Sequence, residues 1–335
     1  MNPASVFVVI VNYRTPELAC DCLLSLASMV PSLRGGRVIV ADNDSGDASV
    51  QTINTRIAAR GWSGWAEVLP LPRNGGFAYG NNAAIRRALV LDPGLEWIVL
   101  LNPDTVARPG ALAELLAFDG GPRVGIKGAG IENGQGVREA SSHKFPSPLG
   151  ELEASASMAM LSRWLGRYIV TPPQANTAQP CEWVSGACMA IRRELLQQVG
   201  LLDEGYFLYF EEVDFCLRAH QAGWSCWSVP TARIMHLEGA ATGIRIARQR
   251  RPPYWFASRR RFFVKAYGVS GLVLADALWA IGRLSLVARR ALGLGGRAGA
   301  PHEPASLARD LLWGDLRALF SGELNGLRAM NVELS

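Results

Sequence analysis

Residues 6–17 read VFVVIVNYRTPE, and this stretch decides the fold. Val6 to Val11 is an unbroken apolar run, the pattern of a strand covered on both faces. Thr15, Pro16 and Glu17 then supply an N-cap, a first-turn proline and an acidic first-turn residue, so the strand runs into a helix. The same rhythm recurs outward along the chain. Val38 to Ala41 precedes an Asp/Asn/Ser/Gly cluster, Glu67 to Leu71 precedes a glycine loop and a helical Asn81 to Leu91, and Trp97 to Leu101 precedes Asn102-Pro103-Asp104. Doubly covered strands alternating with helices predict an α/β fold built on a mainly parallel, Rossmann-like sheet flanked by helices. Ligands in such sheets gather beyond the carboxyl ends of the strands, where all four strands here end in polar, flexible residues.

From about Val124 the pattern is less regular. Ser141 to Gly150 and Thr171 to Pro180 read as mobile loops over the site. Phe210 to Ala222 reads as a helix stopped by Gly223, and it opens with three carboxylates in four residues. Beyond His236 the composition turns to arginine and aromatics. Val269 to Leu292 is apolar but interrupted by Asp276, Arg283, Arg289 and Arg290, which predicts an element lying on a membrane surface rather than crossing it. The domain expectation is therefore 1–240 for the α/β body, with a nucleotide-binding half to about 120 and an acceptor or catalytic half from about 121, followed by a helical, basic, amphipathic extension over 241–335.

With 34 basic and 29 acidic residues the chain is only mildly basic, and the excess concentrates between Arg245 and Arg261. A nucleic-acid partner is not expected, because no zinc-ligand spacing, basic heptad array or aromatic RNA-binding motif accompanies that patch. The six cysteines form no CxxC pair and sit in apolar patterns, as small core residues do in a reducing compartment. Met1 to Asn12 has no charged segment before its apolar run, so no signal peptide is expected and the protein is read as cytoplasmic.

Each polar cluster has an ordinary reading beside a functional one. Asn12 and Tyr13 fit a strand-end turn or a nucleotide base, and Asp42 to Asp47 fits an Asx turn or a ligand loop. Arg73 to Asn82 ends a strand and opens a helix, where backbone amides can meet a phosphate or a sugar. Its glycine spacing is not GxGxxG, and no GxxxxGK[ST] occurs, which disfavours NAD enzymes and ATPases. Asp104 caps a turn or coordinates a hard divalent cation. Glu211 and Glu212 suit a helix N-terminus, yet two adjacent glutamates after the aromatic run Tyr206 to Phe210 suggest a carboxylate held in a partly apolar cleft to accept a proton. His236 is a core histidine or a metal ligand.

Taken in order, VIVNYRT, VADNDSGD, NGGFAYGNN, LLNPDT, WVSGACMAIRR, YFLYFEEVDFCLRAHQAGW and HLEGAATG resemble the family 2 glycosyltransferases with the GT-A fold. The resemblance runs from about residue 5 to 268. With the later block YWFASRRRFFVKAYG it looks most like the rhamnosyltransferase-type enzymes of bacterial polysaccharide and cell-wall assembly.

The resemblance implies roles for particular positions. Asp42 and Asn43 fall where the donor's nucleotide base is read, with Asn12 and Tyr13 as further donor-side candidates. Asn74, Gly75, Gly76 and Phe77 form the loop over the donor, and Asn82 lies toward its ribose or diphosphate. Asn102 and Asp104 stand for the family's DxD motif, with Asp104 and His236 holding Mg2+ or Mn2+. Glu212 matches the catalytic base, with Glu211 beside it. Trp183, Ser185, Gly186 and Asp214 fall toward the donor sugar and acceptor. Two departures stand out: Asn102 replaces the first DxD carboxylate, and Glu212 is one methylene longer than the family's usual aspartate.

The resemblance thus implies an inverting glycosyltransferase using a nucleotide-sugar donor, dTDP-rhamnose or a UDP-sugar. Its acceptor is a glycan or lipid-linked saccharide at the inner face of the cytoplasmic membrane. Two rivals remain open, an inactive nucleotide-sugar-binding scaffold and a nucleotidyltransferase. The latter should carry a basic glycine-rich loop near its start, which nothing between Val6 and Ala27 resembles.

Overall fold

The structure, a computed structural model, describes residues 5–237, 250–294, 304, 306–324 and 326–327. Its strands are β1 (Val6–Asn12), β2 (Val38–Asp42), β3 (Ala66–Pro70), β4 (Trp97–Leu101), β5 (Thr105–Ala107), β6 (Val124–Glu132), β7 (Ser142–His143), β8 (Gln179–Cys181), β9 (Trp183–Val184), β10 (Cys188–Arg192) and β11 (Ser225–His236). The helices are α1 (Pro16–Leu26), α2 (Ser49–Ala59), α3 (Gly76–Leu91), α4 (Ala111–Ala117), α5 (Pro148–Ala156), α6 (Ala159–Trp164), α7 (Arg193–Val199), α8 (Glu211–Gln221), α9 (Pro253–Ala291) and α10 (Leu307–Ser321).

The described residues divide into two compact units. One draws on 1–143, 173–207 and 211–243; the other draws on 144–172, 208–210 and 244–335. α5 and α6 group with the carboxyl-terminal helices in the second of these units.

The first unit holds a sheet in the order β3-β2-β1-β4-β10-β6-β11-β5, with β8 also paired to β11. β3, β2, β1 and β4 are parallel neighbours, as the alternating pattern predicts. Their shared register brings Asn12 opposite Asp42, and Asp42 opposite Pro70, so the polar strand ends lie level. The other half is mixed, because β10 runs antiparallel to both β4 and β6 while β11 runs parallel to β6. One face of β1, β2 and β4 packs Val6, Val8, Ile10, Val38, Val40 and Val99 against helical residues including Leu23, Ile53 and Ile57. Each such side chain contributes about 1.5–3 kcal/mol on burial, enough to fix the strands that carry the site. All six cysteines are free thiols.

The Ser/Pro/Gly-rich and Pro-rich segments make specific contacts. Ser147 Oγ accepts from Gly150 N and Pro148 occupies the first turn, so the Ser/Pro/Gly-rich stretch starts α5. In the other segment, Gln174 Oε1 accepts from Ser141 N and Ser142 N while Gln174 Nε2 donates to Ser142 O.

In the second unit, Gly282 of α9 lies against α5, where a Cβ would meet Ser155 Oγ at 2.1 Å and Ala156 N at 2.8 Å. α10 joins through a cluster of Phe256, Trp279 and Leu311. Arg259, Arg260 and Arg261 are buried rather than presented to a surface. Arg259 pairs with Asp276 at 2.8 Å and Asp315 at 3.3 Å, and Arg260 with Asp315 at 2.7 Å. Each acid is needed by its arginine, since a buried guanidinium stripped of its acid partners would be strongly destabilising. Arg245 and Arg248 lie outside the described residues. α9 is long and apolar enough, by length and composition alone, to cross a membrane, and a third of that apolar stretch is buried within the unit. Its backbone breaks at Gly268, where φ is 71° and ψ 177°.

Candidate active site

The donor-side residues form a cross-linked scaffold at the level strand ends. Asn12 Nδ2 donates to Asp42 Oδ2 at 2.7 Å, and Ser45 donates to the same carboxylate through Oγ (2.7 Å) and N (3.1 Å). Asn43 Nδ2 donates to Asn74 Oδ1 and Gly76 O, and its Oδ1 accepts from Gly75 N. Asn12, Asp42 and Asn43 are accordingly buried. Tyr13, in contrast, is exposed, with the Arg14 guanidinium 5.2 Å from its ring centre.

α3 begins at Gly76, five residues before the helical stretch read from sequence. Its leading amides are already engaged: Gly75 N by Asn43, Gly76 N by Asn74 Oδ1, and Phe77 N by Phe207 O at 2.8 Å. These bonds satisfy three of the backbone donors at the helix start, which a helix by itself leaves open. Gly76 is indispensable here, with φ +87° and a would-be Cβ only 2.0 Å from Phe207 O. Asn82 gives both amide hydrogens to Leu202 O and Glu204 Oε1 and accepts from Leu202 N, which braces the 202–204 loop.

Beyond the end of β4, Asn102 N bonds to Ala187 O at 3.0 Å, which draws the Ser185–Gly186 turn to the same sheet edge. Gly186 lies between Phe77 and the glutamates: a Cβ there would be 3.7 Å from Phe77 Cε1 and 3.9 Å from Glu212 Cβ and Cγ. Ser185 Oγ accepts from Ala187 N, and Trp183 stacks on His143 with ring centres 4.1 Å apart. Burial pushes the His143 imidazole down to about 4, so this stack is neutral at physiological pH.

The glutamate pair opens α8. The chain enters it through Tyr209 and Phe210, both left-handed at φ 70° and 69°, a conformation costing about 1–2 kcal/mol per non-glycine residue. Glu211 is buried and Glu212 half-buried, and the Oε2 atom of each is shielded without a hydrogen-bond partner. Burial raises the Glu212 carboxyl to about 7. Glu211 is raised well above its ordinary value, first by burial and then by the Glu212 charge. Asp214 differs: it is buried, and its carboxylate accepts from Tyr206 Oη and Arg218 Nε, which braces α8.

A third group lies where β11 meets β5, with His236 opposite Thr105 in register. His236 Nε2 is 3.1 Å from Asp104 Oδ1 and 3.4 Å from Asn102 Nδ2. Asn102 Oδ1 is buried and unpartnered. A carboxylate, an imidazole and an unpaired amide oxygen fit a divalent cation such as Mg2+ or Mn2+. No group of three or more His, Cys, Asp or Glu with metal-binding disposition occurs among the described residues, consistent with asparagine at the first DxD position.

Four further residues brace the site through contacts that their residue types did not single out: Ser45, Glu204, Tyr206 and Phe207. Ser45 lies within the DNDSGD cluster, where an Asx turn explains it equally well. Glu204 and Phe207 act through contacts between distant segments, Phe207 through its backbone, which carries no residue-type signal, and Tyr206 acts on Asp214 eight residues further along.

A family model described as Glycosyltransferase like family 2 matches residues 3–255, and the chain belongs to that family. Over 236 residues it is 31% identical to the N-acetylglucosaminyl-diphospho-decaprenol L-rhamnosyltransferase of Mycobacterium tuberculosis, covering 66% of this chain and 71% of that one. The mannosyltransferase PcManGT from Pyrobaculum calidifontis, solved with GDP-Man and Mn2+, superposes with TM-score 0.53 at 16% identity, covering 98% of this chain and 84% of that one. GalNAc-T7, solved with UDP, GalNAc and Mn2+, gives TM-score 0.56 at 15% identity over 89% and 56% of the two chains. The protein is a glycosyltransferase with a GT-A-like fold and a carboxyl-terminal helical extension.

Proposed function

We propose that the chain transfers a sugar with inversion from a nucleotide diphosphate donor to a hydroxyl of a glycan or lipid-linked saccharide in bacterial polysaccharide or cell-wall assembly. L-rhamnose from dTDP-rhamnose is the first choice of donor and a UDP-sugar the second. The observation that carries this reading is Glu212, a half-buried carboxylate with an unpartnered oxygen and a proton affinity near neutrality, lying against the Gly186 turn and Phe77. A base with pKa near the working pH accepts a proton efficiently while remaining substantially ionised.

In this mechanism Glu212 takes the proton of the acceptor hydroxyl as its oxygen attacks the anomeric carbon. The bond from that carbon to the donor phosphate breaks, and the nucleoside diphosphate leaves with the electron pair. Asn74 to Phe77 cover the donor, Tyr13 offers its exposed ring to the base, and Asp42 and Asn43 hold both segments in position. Asp104 and His236, assisted by Asn102 Oδ1, would hold Mg2+ or Mn2+, which supplies positive charge to the departing diphosphate. Trp183 and Ser185 border the acceptor side. The rhamnosyltransferase relative supports both rhamnose and a polyprenyl-diphosphate acceptor, and such an acceptor would keep the enzyme at the inner face of the cytoplasmic membrane.

Purified protein should be offered dTDP-rhamnose and a panel of UDP-sugars with Mg2+ or Mn2+, first scoring hydrolysis and then transfer to a lipid-linked N-acetylglucosaminyl diphosphate. Preferential use of dTDP-rhamnose with an inverted product is expected. Preference for a UDP-sugar would move the assignment to the second donor, and inertness toward every donor would favour a non-catalytic binding protein.

A further inference from the structure

The second half of α9 is apolar on two opposite faces. Leu272, Ala275, Trp279, Gly282 and Leu286 are buried within the unit. About half a turn around the helix lie Val273, Leu274, Ile281, Leu284 and Val287, between 46 and 70% exposed. A water-facing helix normally carries polar side chains there, and this stripe carries none of the helix's acids. Asp276 instead bonds Arg259 at 2.8 Å. The charged residues beside the stripe are Arg283 and Arg290. α10 repeats the design: Trp313, Leu316 and Phe320 are exposed at helical spacing, Arg317 stacks on Trp313, and Asp310 and Asp315 are paired with Arg250, Arg259 and Arg260.

From this pattern we infer that the outer stripe of α9, with the Trp313–Phe320 face of α10, docks on the surface of an anionic phospholipid bilayer. Charge complementarity selects this occupant. Asp276 and Asp315 are turned inward onto Arg259, Asp310 and Glu323 are neutralised by Arg250, Arg309 and Arg260, and arginines flank the apolar side chains, the arrangement that places guanidinium groups among anionic headgroups and aliphatic side chains at the acyl boundary. Two copies meeting through the same stripe would bring their flanking arginines together. The helix lies on the bilayer rather than through it, since Gly282 is in close contact with the α5 backbone and the opposite face is covered. The inference rests on, and deepens, the reading of a lipid-linked acceptor by naming the surface that brings the enzyme to it. It also assigns membrane contact to residues other than the buried Arg259, Arg260 and Arg261.

The test is flotation of the full chain with phosphatidylcholine vesicles, with or without phosphatidylglycerol, at low and high salt, alongside the double variant Ile281→Glu/Leu284→Glu. Both side chains are exposed, so the variant should melt as the wild type does and hydrolyse soluble donor within about twofold of it. Wild-type protein should float with the anionic vesicles and be partly released by salt, and the variant's bound fraction should fall at least about tenfold, since each glutamate removes an apolar contact and adds a repelled charge. Equal flotation of the two proteins, or none by the wild type, would overturn the inference. So would a wild-type dimer that becomes a monomer in the variant without vesicle binding, because a second copy would then cover the face. Loss of donor hydrolysis in both proteins would count against the transfer reading and leave the docking result standing.

Discussion

The level ends of β1 and β2 and the start of α8 both carry carboxylates in the same unit, yet their chemistry diverges. Asp42 accepts from Asn12 and twice from Ser45, so its oxygens are fixed by neighbours. Glu211 and Glu212 each keep a shielded oxygen without a partner, and burial drives their proton affinity upward. The first arrangement makes an anion part of the scaffold, and the second leaves one prepared to take a proton. The side chains most suggestive in sequence are thus divided between holding the site and acting in it.

That division should show most strongly in Glu212→Gln, which should lower kcat by about two to four orders of magnitude with the fold intact, the scale of losing a general base. Glu211→Gln should cost less, and the reverse order would move the base to Glu211. On the scaffold side, Gly76→Ala should destabilise by roughly 2–4 kcal/mol in urea unfolding, combining left-handed strain with the collision at Phe207 O. Gly186→Ala meets only ordinary contacts and should unfold near the wild-type midpoint. Equal stability of the two variants would contradict the assignment of Gly76 as a pinned joint.

Removing the cation with a chelator, or substituting Asp104→Asn, should reduce transfer by about 10- to 100-fold, the scale of a lost charged contact. Mg2+ or Mn2+ should restore the chelated enzyme. Full activity in chelator would mean that Asp104 and His236 act without a metal.

A smaller effect concerns stability. Glu211 has its folded pKa raised, so its contribution is fully present below about 4.5 and is lost as pH rises through the folded value. Wild type should therefore lose melting temperature relative to Glu211→Gln between pH 5 and pH 8. A gap that does not change with pH would rule out a buried ionisation at Glu211.

Local pattern was enough to find β1 and β4, because doubly buried strands need unbroken apolar runs. It failed where distant partners reverse a local preference. Gly75 to Gly80 reads as a loop, but Asn43 and Phe207 satisfy amides at this junction and let a helix begin at Gly76. Nothing near Arg259 in the sequence marks a partner for a charge that burial would otherwise make costly, because its partners stand 17 and 56 residues further along. The antiparallel β10 and its neighbours give the second half of the sheet its mixed character, which the early βα rhythm does not encode. Within the site, residue type pointed to Glu212, Asp104 and His236, whereas the engaged amides of Asn43 and Asn82 emerge only once the chain is folded.

At the heart of the mechanism is Glu212 as a base whose proton affinity burial has raised to about 7. The pH dependence of kcat/KM between pH 5 and 9 probes that role most directly, because the profile reports ionisations of the free enzyme. The wild-type profile should rise through pH 7 to a plateau, with Glu212→Gln low and without that limb. A wild-type midpoint between pH 4 and 5, or a limb near 7 that survives in Glu212→Gln, would contradict the assignment.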